Sequence, residues 1–437
     1  MALAQWTAWR SFDKVFAMID FSLPPRAEEQ YKLAQGMATS MMRSISRETD
    51  EREAEPPSSY VNFMWQMTTA QEQLKEASRL QKAAAKKAGE TKPPKPSIAN
   101  MVMIHLYEAL SWGDVGLYLS TPSSGLAGFA IDSVGTAEQK DRFLTRFREG
   151  EPKWGAMAIT EAHAGSDTAN IRTTARLDAA TNEWVLNGEK IFITAGKMAG
   201  SRPGGLVVVW ATVDANAGRA GIKSFVVEEG TPGFSVTKTE HKLGIRASDT
   251  AVLVFQDCRI PYDNILGSPE VIDRKKKGGF KGVMKTFDAS RPAVAASAMG
   301  VARAAIETTH AELKKAGIEP RYNVPRHQLS AVERDLMEMR AKHEAAWLLT
   351  KRAAWMADQR QHNALQASMC KAKAGSAVTW ITQKAVELLG PLGYSRELLV
   401  EKWMRDAKIN DIYEGTYQIN LLIVARRLLG FSRDQLK

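Results

Sequence analysis

The amino-acid sequence predicts an α+β fold in three successive parts: helical, then β, then helical. Three observations carry this. Segments with helical apolar spacing fill the first 150 residues. From Trp154 to about Leu266 the apolar runs are short and separated by Gly and Pro. Past Phe280 the helical period returns, with Leu329, Val332, Leu336 and Met339 at spacings of three and four. The expected domains are a helical 1–150, a β domain 151–270 and a helical 271–437. Helices segregated from strands argue against a doubly wound α/β sheet.

The elements follow in order. Trp6, Trp9, Phe12 and Phe16 fall at helical spacing within Met1 to Phe21, a helix expected to pack on its own domain. An interfacial or partner-docking helix is the alternative. Arg26 to Arg47 is an apolar-periodic helix after Pro24-Pro25. Gln71 to Ala88, rich in Ala, Lys, Gln and Glu, reads as an exposed helix running into the stiff loop Thr91 to Pro96, and could instead be an insertion that docks a partner. Met101 to Leu110 and Ala137 to Arg148 are helical. Trp184-Val185-Leu186, Asn187-Gly188 and Lys190 to Ile193 read as a hairpin with a primed turn. Leu206 to Trp210, Ile222 to Val227 and Val252 to Phe255 are further strands, the last edge-like. Phe287 to Pro292 opens a helix, with the proline near its first turn. His343 shares the face of Leu329 and Leu336 and reads as core or interface rather than ligand. Helices Ala367 to Leu389 and Tyr417 to Leu429 close the pattern.

Composition removes several functions. The 437 residues are 44% hydrophobic and 25% charged, an ordinary globular balance. No run of 18 apolar residues exists, so no membrane span is expected. Met1 to Phe21 lacks the layout of a secretory signal. Two cysteines, Cys258 and Cys370, exclude a disulfide framework and fit a reducing, cytoplasmic setting. The net charge of +10 permits nucleic acid. However, its densest runs, Lys82 to Lys87 and Arg274 to Lys277, interleave no aromatic residues and read as solvated faces. Glycine-rich dinucleotide and P-loop signatures are absent, as is a Ser elbow. The seven histidines show no ligand spacing, so no metal is expected.

Five stretches carry the chemistry. Asp411 to Thr416 sets Glu414 between Tyr413 and Gly415. An aromatic neighbour removes water from a carboxylate and raises its proton affinity; a glycine lets a substrate pass the backbone. That pattern suits a general base, against the plainer reading of a solvated acid at a helix start. Ile159 to Asp167 ends a strand in a small, hydroxyl-rich loop whose backbone N–H groups can hold a pyrophosphate. Phe192-Ile193-Thr194 offers a ring and a hydroxyl to a flat heterocycle. Lys242 to Arg246 and Phe287 to Pro292 complete the set, each explicable singly as a turn or a cap.

Taken in order, ITE…AGSD, WVLNGEKIFIT, KLGIRASDTAVLVFQDCRIP, FDASRPAVAASAMG and RDAKINDIYEGTYQI resemble the acyl-CoA dehydrogenase family of flavoproteins, from about Ala137 to Gly430. The resemblance implies an N-terminal helical domain, a central β domain and a C-terminal four-helix bundle, usually tetrameric. It implies FAD as cofactor, an acyl-CoA as substrate in fatty acid β-oxidation, and an electron-transfer flavoprotein as acceptor. Glu414 matches the base that takes the α-proton, with its backbone N–H and a flavin ribityl hydroxyl on the thioester oxygen. Thr160, Ser166, Phe192 and Thr194 match flavin-lining positions, and Thr416 and Gln418 positions near the adenosine half. Ser166, Asp288, Arg291, Tyr413 and Gly415 match the substrate side, and Arg291 also steers the Glu414 loop.

The chain departs from the family twice. An Arg-x-x-Phe-Gly stretch becomes Glu319-Pro320-Arg321-Tyr322-Asn323, and Gln-x-x-Gly-Gly becomes Glu387-Leu388-Leu389-Gly390-Pro391. In family tetramers these stretches reach a neighbour's FAD. Two readings stand: divergence with FAD held otherwise, or a hetero-oligomer whose homologous partner supplies the missing groups. An acyl-CoA oxidase, generally longer, uses the same glutamate. A nucleic-acid-binding flavoprotein needs a basic C-terminal domain that is not seen here, and a non-catalytic subunit does not fit a retained Glu414.

Overall fold

The computed structural model describes residues 22–53, 55–87, 97–271, 281–432 and 435. The expected Met1 to Phe21 helix, the Thr91 to Pro96 loop and the Arg274 to Lys277 run lie outside them, as do the side chains of Lys82 to Lys87.

The described residues open with α1 (Pro25–Met37), a π-helical turn (Ala38–Met42) and α2 (Arg43–Arg52), where one continuous α-helix was expected. The π turn lets Ala38 meet α4 closely: a Cβ on Gly113 would stand 2.9 Å from Ala38 Cα. Next come α3 (Ser58–Lys87), α4 (Ala99–Leu119), α5 (Gly125–Val134) and α6 (Ala137–Leu144). Helix α6 starts on a capping box formed by Thr136 and Gln139.

The β part comprises β1 (Gly155–Ala158), β2 (Thr174–Asp178), β3 (Glu183–Thr194), a short α7 (Gly196–Ser201), β4 (Leu206–Thr212), β5 (Ile222–Glu228), β6 (Phe234–Thr239) and β7 (Thr250–Pro261). They form one sheet in the order β1-β4-β2-β3-β7-β6, with β5 on β4. Every residue of β4 is buried, which is why it reads as an unbroken apolar run. Two sequence expectations fail here. Asn187 and Gly188 are not a hairpin turn. They lie inside β3 at a bulge opposite β7, where the register slips between Leu186 and Gly188. Asn187 Oδ1 accepts from Asp257 N at 2.8 Å, and a Cβ on Gly188 would stand 2.5 Å from Thr173 Oγ1. The same backbone freedom that suits a primed turn serves a bulge with a close crossing. The hairpin is β2–β3, and its turn ends on Asn182 at φ 56°. Nor is Val252 to Phe255 an edge: β7 pairs with both β3 and β6.

The C-terminal part holds α8 (Lys281–Lys315), α9 (Ala331–Asp358), α10 (Ala364–Leu389), a short α11 (Pro391–Tyr394), α12 (Val400–Ala407) and α13 (Tyr417–Leu429). Helices α8, α9 and α10 pack on one another and α13 packs on α10. Pro292 sits within α8, not in its first turn. It withholds one backbone N–H, but neighbouring Ser290 and Arg291 are buried at 1% and 3% exposure, and that packing outweighs the lost bond. The face of α8 is mostly small: Ala295, Ala298, Ala302 and Ala305 are buried, and Gly300 lets its backbone meet α4 at Glu108. Met101, Ile104 and Val115 of α4 enter this same core, as does the ring of His343 at its edge.

A buried charge cluster ties α12 to distant segments. Lys402 Nζ meets Asp114 at 2.8 Å and Asp406 at 2.6 Å, and Ser46 donates to Asp114. Asp406 accepts from the Ile245 backbone N–H, and Arg405 grips Asp50 with both terminal nitrogens, at 3.0 and 2.6 Å. The KLGIR and RDAKIN stretches therefore touch: no side chain fits at Gly244 against the Arg405 backbone. Among the described residues no helix is long and apolar enough to cross a membrane, and no cluster of His, Cys, Asp and Glu has a metal-holding arrangement.

Candidate active site

Glu414 lies on the loop between α12 and α13, at φ 55°, followed by Gly415 at φ 90°. Two successive left-handed residues turn the loop back on itself, and only the second is a glycine, so the glutamate conformation is imposed by its surroundings. Its Oε2 accepts from Ser290 Oγ at 2.6 Å. Burial raises its pKa above the ordinary 4.5, while the Ser290 bond and the charges of Arg291 and Lys371 limit the rise. A carboxyl so shifted binds a proton more tightly than a solvated one does.

The loop is fixed from three sides. Lys371 of α10, 2% exposed, donates to Asn410 O at 2.6 Å and to Gly415 O at 2.8 Å. Asn420 of α13 donates to Gly415 O at 2.8 Å and Thr416 O at 3.0 Å. Tyr413 Oη donates to Asn410 Oδ1 at 3.2 Å. Arg291 of α8 reaches Asp288 at 3.3 Å and Ser368 Oγ at 3.2 Å, and its Nε has no partner among the described residues. Burial lowers the Arg291 pKa and raises that of Asp288, so the pair sits in a poorly solvated pocket wall.

The β-part residues assemble separately. Ile191 N donates to Thr160 O at 2.9 Å, joining the Ile159–Asp167 loop to β3 one residue before Phe192. Phe192 is 60% exposed at φ 57°, in a second bulge of β3 against β7, while Ile193 turns into the core. The hydroxyls of Thr160, Ser166 and Thr194 make no side-chain hydrogen bond among the described residues. An exposed ring held in left-handed backbone beside unengaged hydroxyls is a fitting cradle for a flat heterocycle, so these residues fit a flavin. Beneath them lies a buried ion pair: Lys190 Nζ meets Glu161 Oε1 at 2.7 Å and Ile159 O at 3.0 Å. Glu161 also accepts from Arg172 N, Thr173 N and Thr173 Oγ1. Burial pushes the Glu161 carboxyl up, but Lys190 and the Thr173 donors more than offset this and hold it low; burial draws Lys190 down to about 8. A cavity of about 480 Å³ opens beside this loop, lined by His163, Asp167, Asn170, Arg172, Thr212 and Gly218 and by none of the residues around Glu414.

The structure thus brings Glu414, Tyr413, Gly415, Asp288 and Arg291 together, and Thr160, Phe192 and Thr194 together. Ser166 sits exposed on the outer loop. Thr416 caps α13, accepting from Ile419 N at 3.2 Å, and Gln418 is exposed on that helix; among the described residues no hydrogen bond joins either to the β-part cluster. Sequence reasoning missed Ser290, Lys371, Glu161 and Lys190. A signal for Lys371 existed: it falls on the face of Ala367, Ala374 and Val378, an apolar stripe on which a lysine is out of place. Glu161 and Lys190 sit inside the motifs that were singled out, but nothing in the spacing says they pair.

The departures are also explained locally. Glu319 pairs with Lys314 at 2.5 Å, Arg321 holds Glu333 at 2.6 and 2.8 Å, and Lys384 pairs with Glu387.

Comparison with known proteins agrees with this layout. Family models for the acyl-CoA dehydrogenase middle domain and C-terminal domain match residues 156–258 and 277–429. The bovine mitochondrial short-chain specific acyl-CoA dehydrogenase is 40% identical over 73% of this chain and 73% of its own. An acryloyl-CoA reductase (NADH) of Anaerotignum propionicum is 38% identical over 70% of this chain and 73% of its own. The butyryl-CoA dehydrogenase structure of Megasphaera elsdenii superimposes with TM-score 0.77 at 30% identity, covering 94% of this chain and 100% of that one. The structure reported as the electron transferring flavoprotein of Acidaminococcus fermentans matches with TM-score 0.77 at 29% identity, over 94% of this chain and 100% of that one. The chain belongs to the acyl-CoA dehydrogenase family and is an oxidoreductase of that family, acting on acyl-CoA.

Proposed function

We propose that the protein removes hydrogens from Cα and Cβ of a short-chain acyl-CoA thioester, giving the trans-2-enoyl-CoA, with Glu414 as the base. The observation that carries this is a carboxyl raised by burial, held by Ser290 and flanked by Arg291 and Lys371. Glu414 takes the α-proton, and its own backbone N–H donates to the thioester oxygen as charge builds there, a reading that the left-handed turn supports. Tyr413 excludes water from the carboxylate. Asp288 and Arg291 line the substrate side. FAD, when bound, accepts the two electrons and the β-hydrogen. Thr160, Ser166, Phe192 and Thr194 would hold its ring, and Thr416 and Gln418 its adenosine half. The division into 1–150, 151–270 and 271–437, a reducing cytoplasmic setting and an electron-transfer flavoprotein as acceptor belong to the same reading. The short chain length rests on the short-chain and butyryl-CoA relatives.

Glu414→Gln tests it. The variant is expected to keep its flavin and lose flavin bleaching by butyryl-CoA on the order of 10³–10⁴-fold. Bleaching at the native rate would remove Glu414 from the role of base.

A second reading concerns assembly. Glu319, Arg321 and Glu387 are each engaged by a neighbour in their own chain. Groups so committed are poorly placed to reach a neighbour's FAD, which favours a hetero-oligomer with a homologous subunit over a homotetramer. Flavin per chain in the protein expressed alone decides it: one FAD per chain in a homotetramer excludes the hetero-oligomer.

A further inference from the structure

Helix α10 presents four small or polar residues along one face toward the 410–415 loop: Ser368, Lys371, Gly375 and Thr379, three or four positions apart. Each has a partner at the site. Ser368 Oγ accepts from Arg291 at 3.2 Å. Lys371 Nζ donates to the Asn410 and Gly415 carbonyls at 2.6 and 2.8 Å, gripping the loop on both sides of Glu414. A Cβ on Gly375 would stand 2.7 Å from that same Asn410 carbonyl, so the loop backbone is seated against the helix where a side chain is missing. Thr379 Oγ1 donates to Asp411 Oδ2 at 3.1 Å. The Glu414 turn is therefore moulded on α10.

Resting on the reading of Glu414 as base, we infer that Lys371 is the positioning residue of that base: it grips the loop on both sides of the glutamate, holds it in its left-handed turn and sets a positive charge beside it. The fit is chemical. A buried ammonium bonded only to carbonyls has no carboxylate bound to it, so its field acts on the nearest acid. The groups facing Glu414 are few. Helix α8 brings Ser290, Arg291 and Asp288; α10 brings Lys371 and Cys370; the loop brings Tyr413 and Asp411; α13 brings the neutral Asn420. Arg291 acts on Glu414 at least as strongly but is also paired with Asp288 at 3.3 Å, so Lys371 is the cation facing Glu414 without a bonded acid.

Three variants test this in the flavin-loaded protein. Lys371→Met is expected to keep its flavin and to slow flavin reduction by butyryl-CoA by roughly a hundredfold at neutral pH. The midpoint of the pH–rate profile should move upward, because losing a cation favours the protonated acid. Amides 411–416 should exchange hydrogen faster. Lys371→Arg should restore the midpoint and only part of the rate. Gly375→Ala should slow reduction with the midpoint unmoved, since it displaces the loop and leaves the charge. A native rate and midpoint in Lys371→Met, or a slowed rate with an unmoved midpoint, would overturn the inference. If Lys371→Met gives no folded protein, Lys371→Arg decides alone: a slowed rate at the native midpoint supports the inference, and a native rate overturns it. Glu414→Gln separates the two readings: if it abolishes reduction while Lys371→Met behaves as native, the base stands and the positioning role falls.

Discussion

Lys402 and Lys371 are both buried lysines of the C-terminal part, at 1% and 2% exposure, with opposite surroundings. Lys402 sits between two carboxylates, Asp114 and Asp406, and its pKa is pushed up despite its burial. Lys371 hydrogen-bonds only backbone carbonyls and lies 5.8 Å from the Tyr413 ring centre, and burial draws it down to about 8. One charge is neutralised where it stands and serves to join α4, α12 and the Ile245 turn. The other is left to act at a distance on the proposed base. The difference teaches how to sort buried charges by role: a paired one fastens, while an unpaired one tunes a neighbour.

Removing each lysine should separate them. Lys402→Met leaves two acids buried without their cation and is expected to cost about 3–5 kcal/mol of stability. Any folded fraction should reduce its flavin with the native pH midpoint. Urea unfolding and a pH–rate profile check both halves. A moved midpoint would erase the distinction, since it would make Lys402 another tuner.

Lys371→Met should cost less, about 1–3 kcal/mol, because it frees one carbonyl and weakens the hold on a second that Asn420 still bonds. Its effect on flavin reduction should be much the larger of the two. Equal losses of stability in the two variants would break the comparison from the other side.

How far the sequence foretold this arrangement differs by kind of interaction. The order of helices, sheet and helices was legible because apolar period survives in any context; Tyr417 to Leu429 was bounded as found. Asn187-Gly188 misled because left-handed tolerance marks a bulge as readily as a turn. Pro292 misled because burial of Ser290 and Arg291 overrides the preference for a helix start. Glu414 with Tyr413 and Gly415 was visible as a local pattern. Lys371 lies 43 positions before it, and Lys190 lies 29 after Glu161; the pairs exist only once the chain folds, so no window of sequence contains them.

The smallest expected effect is one of sign, and it bears on the tuner. Glu414 is a carboxyl whose folded pKa lies above its ordinary 4.5. Such a group binds its proton more tightly in the folded state, so its contribution to stability is fully present below pH 4.5 and is lost as pH rises through the folded value. At neutral pH the half-buried carboxylate therefore opposes folding, apart from what Ser290, Arg291 and Lys371 recover. Glu414→Gln removes that opposition, and the variant is expected to unfold at slightly higher urea than the native protein at pH 7, with the gap closing toward pH 4. Combined with Lys371→Met the gap at pH 7 should widen, because the native acid then lacks its tuning charge and the glutamine does not need it. A gap that stays constant across pH and is indifferent to Lys371 would mean that the ammonium bonds the loop but does not reach the carboxylate.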